Sequence, residues 1–241
     1  SVSLGYRDKL LRGRRAMAHL IHLWHERNAW SHRVLPLLSE ILDLGRVHNS
    51  QISNLRNGKL SSPGPEVFLA LAQVNTILDQ GIELIRDQLE QSHPELWRSL
   101  EDSALPLKND SGNPLSAGEL FEIFVGLKTL PSSFDWYIED EEACALSDAL
   151  SDHFCQNKPW RSCKSTIMDA YRVTKPLRRE RLAEVIAGIK DFTAEELDGE
   201  LLDLYEMSKN LSYFNGGGPN AFLTHLRDIV SQKKKVSKNE K

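Results

Sequence analysis

The stretch HNSQISNLRNGK, residues 48–59, combines a small apolar face with a polar exterior that is unusual for a helix. In a helix that begins near Asn49, Ile52 and Leu55 lie three residues apart on one side and would pack on the preceding helix. The remaining positions hold short amides and hydroxyls, which are poor helix formers because they compete for their own backbone. An exposed face selected for stability would more often carry Glu, Lys or Ala. The stretch is therefore either an ordinary polar helix end or a face built for recognition.

The polar side chains of this stretch are of the types that read DNA. Asn and Gln pair in bidentate fashion with N6 and N7 of adenine in the major groove, and Ser bonds base edges or phosphates. Arg56 and Lys59, at the end of the helix, would meet the phosphate backbone. The pair Asn57-Gly58 suits the left-handed backbone that closes a helix. This combination favours DNA recognition.

Two helical patterns precede the stretch. MAHLIHLWHERNAW, residues 17–30, has apolar residues at helical spacing. Ser31 then precedes HRVLPLLSEILDLG, residues 32–45, whose apolar face predicts a second helix that Gly45 can end. The sequence therefore predicts two helices before residue 48.

A longer helical pattern follows the stretch. Pro65 can occupy the first turn of a helix over residues 65–91, which carries a continuous apolar stripe. Gly81 disfavours an unbroken helix, because glycine costs about 1 kcal/mol relative to alanine in a helix interior. If exposed, the stripe is able to carry dimerisation.

This order of elements is that of a helix-turn-helix. VHNSQISNLRNGKLSSP, residues 47–63, followed by EVFLALAQVN, resembles the DNA-binding domain of the Cro/C1-type (phage repressor-like) family. The positions that match the family pattern are Val47, Ile52, Ser53, Leu55, Asn57, Gly58, Lys59 and Pro63. The resemblance covers roughly residues 16–80 and implies a compact five-helix domain whose third helix enters the major groove of double-stranded DNA.

The resemblance also implies positions for the contacts with DNA. The residues expected to face bases are Asn49, Ser50, Gln51 and Asn54. The residues expected to face phosphates are Ser31, Ser53, Arg56, Asn57 and Lys59. A basic N-terminal arm could add contacts to the backbone or the minor groove through Arg7, Lys9, Arg12, Arg14 and Arg15.

The turn over residues 43–48 departs from the family pattern. The family usually has a small residue and a glycine at the positions that Leu42 and Arg46 occupy here. Either Gly45 makes the turn one residue early, or Ser39 is the small residue and the turn is about three residues longer than usual.

Charge is distributed unevenly along the chain. Residues 1–65 hold ten Lys or Arg against four Asp or Glu, whereas residues 66–230 hold fifteen against twenty-nine. The last eleven residues hold five bases and one acid, which completes the net charge of −4. A basic segment on an acidic body could bind a polyanion through its first part, although a solvated charged surface gives the same asymmetry.

The chain as a whole is expected to be all-α, since no strand alternation is found. We expect a helix-turn-helix domain with its basic arm and a long closing helix over residues 1–100, and a linker over residues 101–114, which are rich in Pro, Asn, Asp, Ser and Gly. An acidic helical domain over residues 115–230 would carry dimerisation or bind an effector or partner protein. Capping boxes at Ser116/Glu119 and Thr193/Glu196 begin two of its helices. Residues 231–241 would form a disordered basic tail.

Three other constellations have structural interpretations beside functional ones. His153, Cys155 and Cys163 include zinc-ligand types but lack the paired C-x2-C spacing, which favours partly buried thiols. The acidic run over residues 135–148 could chelate a hard cation, or supply carboxylates to the first turn of a helix. The last set, His19, His22 and His25, recurs at i, i+3 and i+6 and could bind a metal. The apolar residues of the same helix already take one of its faces, which counts against this interpretation.

The sequence predicts a cytoplasmic, bacterial, homodimeric transcription regulator that binds double-stranded DNA. A helical adaptor whose basic domain binds an acidic protein surface is the alternative. We expect no enzyme, because no nucleotide-binding or nucleophile motif is found and no nucleophile, base and orienting group can be assembled. We expect no cofactor, no metal and no membrane span. The three cysteines fit free thiols in a reducing compartment.

Overall fold

The structure of the protein, a computed structural model, describes residues 5–45, 47–59 and 63–240. Over these residues the chain forms twelve α-helices and no β-strand, apart from one isolated bridge between Lys108 and Pro114. It divides into two compact units, Ser1–Asp135 and Trp136–Lys241. The prediction of an all-α chain with two domains is confirmed.

The first unit is built on one long helix. Its helices are α1 Tyr6–Asn28, α2 Val34–Ile41, α3 Asn49–Arg56, α4 Pro65–Gln80, α5 Arg86–Leu89, α6 Pro94–Asp102 and α7 Ala117–Phe124, with a 3-10 turn at Ile82–Ile85. Helix α1 packs on α3 and α7, α2 packs on α4, and α4 packs on α7. The recognition candidate α3 is therefore held on α1, the longest helix of this unit.

Helix α1 begins much earlier than the apolar pattern indicates. It starts at Tyr6, and a Cβ atom placed on Gly13 would lie 2.2 Å from the carbonyl oxygen of Phe124 at the end of α7. The absence of a side chain at Gly13 thus lets the two backbones touch. The prediction of an N-terminal arm is wrong, because this contact and the good helix propensity of Arg, Lys and Leu keep the segment helical. The residues assigned to the arm all lie on α1: Arg7, Lys9, Arg12, Arg14 and Arg15.

Residues 101–114 are part of the first unit and do not separate two domains. The amide of Asn28 is completely buried and binds the backbone of this segment. Its Oδ1 accepts from the Leu105 N–H at 2.7 Å and from the Ser103 hydroxyl at 2.7 Å, and its Nδ2 donates to the Leu105 carbonyl at 3.1 Å. A segment that looks like a linker is therefore fixed by a side chain 75 or more positions away in sequence.

A second buried asparagine fixes the same segment further along. Asn75 of α4 accepts from the Leu107 N–H at 2.6 Å and donates to the Leu107 carbonyl at 2.8 Å and the Leu115 carbonyl at 3.3 Å. Leu107 and Leu115 are themselves buried. The domain boundary predicted at 101–114 is wrong, since the first unit continues through α7 to Asp135.

The long helical pattern after Pro65 is interrupted at Gly81. Helix α4 ends at Gln80, and Gly81 has φ +114°, a conformation that L side chains rarely adopt. The apolar stripe of this segment faces the core, so it is not an exposed surface for dimerisation. Its buried members are Val67, Phe68, Leu71, Val74, Leu78, Ile85 and Leu89.

The second unit contains five α-helices within its described residues. They are α8 Ala143–Cys155, α9 Trp160–Ala170, α10 Pro176–Ile186, α11 Ala194–Asn210 and α12 Gly218–Asn239, preceded by a 3-10 turn at Asp140–Glu142. Helix α8 packs on α10 and α12, and α11 packs on α12. The predicted capping boxes begin α7 and α11: in each, the hydroxyl accepts from the N–H three residues on, at 3.1 Å.

The disordered tail predicted for residues 231–241 is wrong for the part that the structure describes. Helix α12 continues to Asn239, although residues 231–239 are exposed. Lysine is a good helix former and its charge is favourable near a helix C-terminus, so the packed first turns of α12 can extend into this basic stretch. Lys241 lies outside the described residues. None of the helices in the described part of the chain has the length and apolar character needed to cross a membrane.

Candidate nucleic-acid interface

Helix α3 is attached to the first unit by two apolar side chains. Ile52 and Leu55 are buried, at 0% and 2% exposure, and α3 packs on α1. Asn49 and Ser50, in the first turn, are exposed, whereas Asn54 is half-buried. The opening of the helix therefore presents an amide and a hydroxyl to the solvent.

Gln51 has a structural partner inside the helix. Its Oε1 accepts a hydrogen bond from the His48 N–H at 2.9 Å, as part of a capping box that starts α3. A side chain used in this way lies along the helix end and satisfies one of the backbone N–H groups that would otherwise have no partner there. Among the four positions expected to face bases, Asn49 and Ser50 are thus the best presented.

The residues expected to face phosphates fall into two groups. Ser31, Asn57 and Lys59 are exposed. Ser53 is half-buried, and its Oγ lies 3.5 Å from the Asn57 amide nitrogen that donates to it. Ser31 precedes α2 by three residues and lies in the turn that leads into it, since its carbonyl accepts from the Val34 N–H at 3.2 Å.

Arg56 is held by two other side chains of the first unit. Its Nη2 lies 3.3 Å from Glu26 Oε1 on α1, and its Nη1 lies 2.5 Å from His32 Nε2. Because a guanidinium has donors only, His32 Nε2 must be the acceptor, and this imidazole is neutral in that arrangement. Burial, with the neighbouring Arg56 charge second, lowers the pKa of His32. Arg56 therefore fastens the end of α3 to α1.

His25 continues this cluster into the core. Its ring lies 5.2 Å from that of His32 in an edge-on arrangement, and its Nδ1–H donates to the Ile21 carbonyl at 2.7 Å. Burial lowers the pKa of His25 to about 4, with the charges of His32 and Arg56 acting in the same direction. The imidazole of His25 is therefore neutral at neutral pH.

The basic residues of the first half of α1 lie away from the Arg56 anchor. A helix rises about 1.5 Å per residue, so Arg15 and Arg12 are roughly 16 Å and 21 Å along α1 from Glu26. That half of α1 meets α7, where Gly13 contacts Phe124. The structure thus does not bring Arg12, Arg14 and Arg15 to the anchored end of α3.

A groove of about 580 Å³ separates α2 from the start of α3. Its lining combines apolar, charged and amide side chains: Arg33, Pro36, Leu37, Glu40, Gly45, Val47, His48 and Asn49. Asn49 is thus at once an exposed residue of α3 and part of the groove wall. Because base edges and sugars are partly apolar, a groove of this mixed character can take a nucleic acid or a peptide.

The connection between α2 and α3 is long. Helix α2 ends at Ile41 and α3 begins at Asn49, with left-handed backbone at Asp43 and Gly45. Ser39 is fully buried and donates to the Leu35 carbonyl at 2.9 Å. The turn thus combines the left-handed Gly45 of one alternative with the buried small residue Ser39 of the other. Arg46 lies outside the described residues.

The other candidate constellations are not assembled into a site. Among the residues that the structure describes, no three His, Cys, Asp or Glu side chains are grouped as metal ligands. His153 lies 2.7 Å from the Ser208 hydroxyl and 3.3 Å from His225, and burial lowers its pKa to about 4. Cys155 and Cys163 contact each other. The acidic run passes through the 3-10 turn at Asp140–Glu142, where Glu142 pairs with Arg227 at 2.8 Å, and continues into the first turns of α8.

Comparison with known protein families divides the chain into the same two parts as the structure. Residues 7–126 match a family described as Domain of unknown function (DUF8644), and residues 143–237 match one described as Domain of unknown function (DUF8645). The gap between the two matches contains the division of the structure at Asp135. No curated protein and no solved structure matches the chain.

Several residues of the site were not identified from the sequence. Glu26 and His32 anchor Arg56 from 30 and 24 positions away, and only a folded chain brings them together. Arg33, Pro36, Leu37 and Glu40 line the groove because their spacing of i, i+3, i+4 and i+7 puts them on one face of α2 and its N-cap. The buried Val34, Leu35 and Leu38 lie on the other face. A helical projection of residues 33–41 would have identified the groove face.

Proposed function

We propose that the protein is a sequence-specific regulator that binds double-stranded DNA and reads the major groove with α3. The observation that carries this proposal is the split of α3 between two roles. Ile52 and Leu55 bury one side of the helix, while Asn49 and Ser50 remain exposed in its first turn. Recognition helices typically use their N-terminal residues to contact base edges.

The chemistry of these two positions suits base recognition. An exposed asparagine offers one donor and one acceptor in a plane, which matches N6 and N7 of adenine. Ser50 can add a bond to a neighbouring base or phosphate. Asn54 is half-buried and lies about one turn further along α3. It would contact a base only where the DNA comes close to the helix surface.

Cationic side chains flank the reading face. Lys59 follows α3 and Arg33 precedes α2, and both are exposed. Such positions allow charge neutralisation of phosphates on either side of the groove, which supplies most of the affinity of DNA-binding domains. In this proposal Arg56 orients α3 through Glu26, and Lys59 carries the phosphate contact.

Useful specificity requires two reading helices. A single small domain makes a limited footprint, and half-sites about one turn of DNA apart, near 34 Å, are read by symmetric dimers. We therefore propose a homodimer. The second unit would supply the dimer interface or bind an effector or partner protein. A bacterial origin and a cytoplasmic location belong to the same proposal.

One observation favours a second candidate function, a helical adaptor. Glu40 lines the groove between α2 and α3 together with Pro36 and Leu37. A carboxylate there opposes phosphates, and apolar walls suit a peptide side chain. The two candidates differ in one property: an adaptor would bind DNA weakly and would not rank its sequences.

The salt dependence of the affinity for duplex DNA tests the proposed phosphate contacts. The affinity for a duplex would be measured by fluorescence anisotropy between 50 and 200 mM salt, for the native protein and for three variants. Lys59→Ala should lower the slope of log affinity against log salt by about 1, because one phosphate contact is lost. Arg56→Ala should weaken binding with an unchanged slope. Lys158→Ala, an exposed lysine of the second unit, is the control and should change neither. Equal slopes for native protein and Lys59→Ala would count against the assigned contact.

A further inference from the structure

Two thiols of the second unit lie in direct contact. Cys155 is the last residue of α8 and Cys163 lies in α9, and their sulfur atoms are 3.3 Å apart. Each cysteine is 8% exposed. The third cysteine, Cys144, is exposed and donates to the Asp191 carboxylate at 3.2 Å. The chain thus holds one thiol pair and one separate thiol.

The connection between α8 and α9 sets this contact. Gln156 and Asn157 both have left-handed backbone, with φ of 51° and 65°, which turns the chain sharply after α8. The Lys158 N–H then donates to the Cys155 carbonyl at 2.9 Å. The short, hydrogen-bonded turn returns α9 against α8, so the proximity of the sulfur atoms is built into the backbone.

The sulfur atoms are close to bonding distance. A disulfide requires about 2.05 Å between the sulfur atoms, so the two sulfurs need to approach each other by only about 1.2 Å in total. The Cys163 thiol also points towards the Trp160 carbonyl at 3.5 Å and the Pro159 carbonyl at 3.6 Å, within its own helix turn. These weak bonds leave the side chain free to rotate towards Cys155.

We propose that Cys155 and Cys163 are a redox modification site, at which a hydroperoxide converts the two thiols into an intramolecular disulfide. In the first step, the Cys163 thiolate attacks the peroxide oxygen, which yields a sulfenic acid and releases the alcohol, or water when the oxidant is hydrogen peroxide. In the second step, the Cys155 sulfur attacks the sulfenic sulfur, the S–S bond forms, and water leaves. Two thiols and one peroxide are consumed, and the sulfur pair loses two electrons to the peroxide O–O bond.

The raised pKa of Cys155 favours Cys163 as the thiol that reacts first. Burial, followed by the hydrogen bond with Cys163, raises the pKa of the Cys155 thiol to about 12. The thiolate is the nucleophile in both thiol oxidation and thiol exchange, so Cys155 is poorly suited to react first. It acts instead as the resolving thiol, whose partner is already in contact with it.

The bond would link α8 to α9. These two helices already pack on each other, and both pack on α10 and α11. The disulfide should raise the thermal midpoint of this unit, since it restricts the unfolded chain. Reduction by a dithiol would restore the starting state.

The test is a thiol count on the folded full-length chain. The protein is treated with hydrogen peroxide, quenched, denatured, alkylated and analysed by mass spectrometry. We expect three alkylated cysteines to become one, the mass before alkylation to fall by about 2 Da, and dithiothreitol to reverse both changes. Trypsin cleaves after Arg161, between the two cysteines, so the bond appears as a linked pair of peptides.

Two cysteine variants and the mass of the oxidation product test whether the disulfide forms between Cys155 and Cys163. Cys144→Ser should go from two alkylated thiols to none, and Cys163→Ser should give no linked peptides. The proposal is overturned if both Cys155 and Cys163 remain alkylatable while Cys144 reacts, or if the main product gains about 32 Da as a sulfinic acid. Since the native chain alone yields the linked peptides, poor folding of a variant does not affect the result.

Discussion

Arg56 of α3 forms an ion pair with Glu26 of α1, with 3.3 Å between Nη2 and Oε1. The side chains are 20% and 35% exposed, so the pair lies at the edge of the protein rather than in bulk solvent. His32 accepts a second bond from the same guanidinium. A residue that the sequence assigned to a phosphate contact thus serves to orient the recognition candidate.

A double-mutant cycle measures this pair. Arg56→Ala and Glu26→Gln should each destabilise the first unit, and their coupling energy should be about 0.5–1 kcal/mol, because partly exposed ion pairs are weak. Urea denaturation of the native protein, both single variants and the double variant gives the value. A coupling energy of zero within error would show that the two side chains act independently.

Replacing Asn75 should be much more costly. Asn75→Leu keeps the approximate volume but leaves the buried Leu107 N–H and carbonyl without their partner, which should cost about 3 kcal/mol. Thr76→Ala is the adjacent control, since Thr76 is exposed, and should change stability by less than about 0.5 kcal/mol. Chemical denaturation compares the two. Similar losses for both variants would contradict the role given to Asn75.

The buried imidazoles of α1 should make the first unit sensitive to acid. Burial is the largest cause that lowers the pKa of both His19 and His25 to about 4, whereas an unfolded histidine titrates near 6.5. Between these values the unfolded chain binds protons that the folded chain does not. The free energy of unfolding should therefore fall as the pH drops from about 6.5 to about 4.

NMR titration of the imidazole resonances checks this directly. The rings of His19 and His25 should remain neutral until the pH approaches 4. Protonation of either ring near pH 6.5 in the folded protein would remove the basis for the predicted acid sensitivity.

Asp198 should have the opposite effect in the second unit. Burial raises its pKa to about 7, and the nearby carboxylates of Glu195, Asp140 and Glu142 act in the same direction. The folded chain keeps this proton while the unfolded chain loses it near pH 4. The stability contributed by Asp198 is therefore present below pH 4 and lost as the pH rises to about 7.

The variant Asp198→Asn isolates this contribution. It should be more stable than the native protein at pH 8, by on the order of 4 kcal/mol at most, and should lose that advantage near pH 4. Glu195→Gln, which removes one exposed neighbour, should show a smaller change in the same direction. Unfolding curves at pH 4 and pH 8 supply the comparison, and an unchanged difference between the two pH values would refute the assignment.

Local features were predictable from sequence to a considerable degree. The buried positions Ile52 and Leu55, the end of α4 at Gly81 and the two capping boxes each depend on spacing within a few residues. Periodicity and backbone preference act at that range, so a sequence pattern reports them well.

Features that depend on distant partners were not predictable. The segment 101–114 reads as a linker by composition, yet Asn28 and Asn75 bind its backbone from two different helices. The N-terminal arm is a helix because Gly13 meets α7, a contact between residues more than a hundred positions apart. For the candidate site, the exposed polar face was visible in the sequence, but the anchoring of Arg56 by Glu26 and His32 was not.

The proposed function requires that exposed residues at the start of α3 read DNA bases. The most direct measurement is a selection of purified protein on random duplex DNA at about 150 mM salt, followed by sequencing of the bound fraction. The native protein is compared with the double variant Asn49→Ala, Ser50→Ala. The control is Gln88→Ala, Gln91→Ala, which removes two exposed amides of the first unit outside α2 and α3.

We expect the native protein and the control to enrich the same palindromic motif. The α3 variant should lose that motif while it keeps salt-sensitive, nonspecific binding, because its phosphate contacts remain. If the native protein enriches no sequence, or if the α3 variant enriches the same motif equally well, then α3 does not read bases.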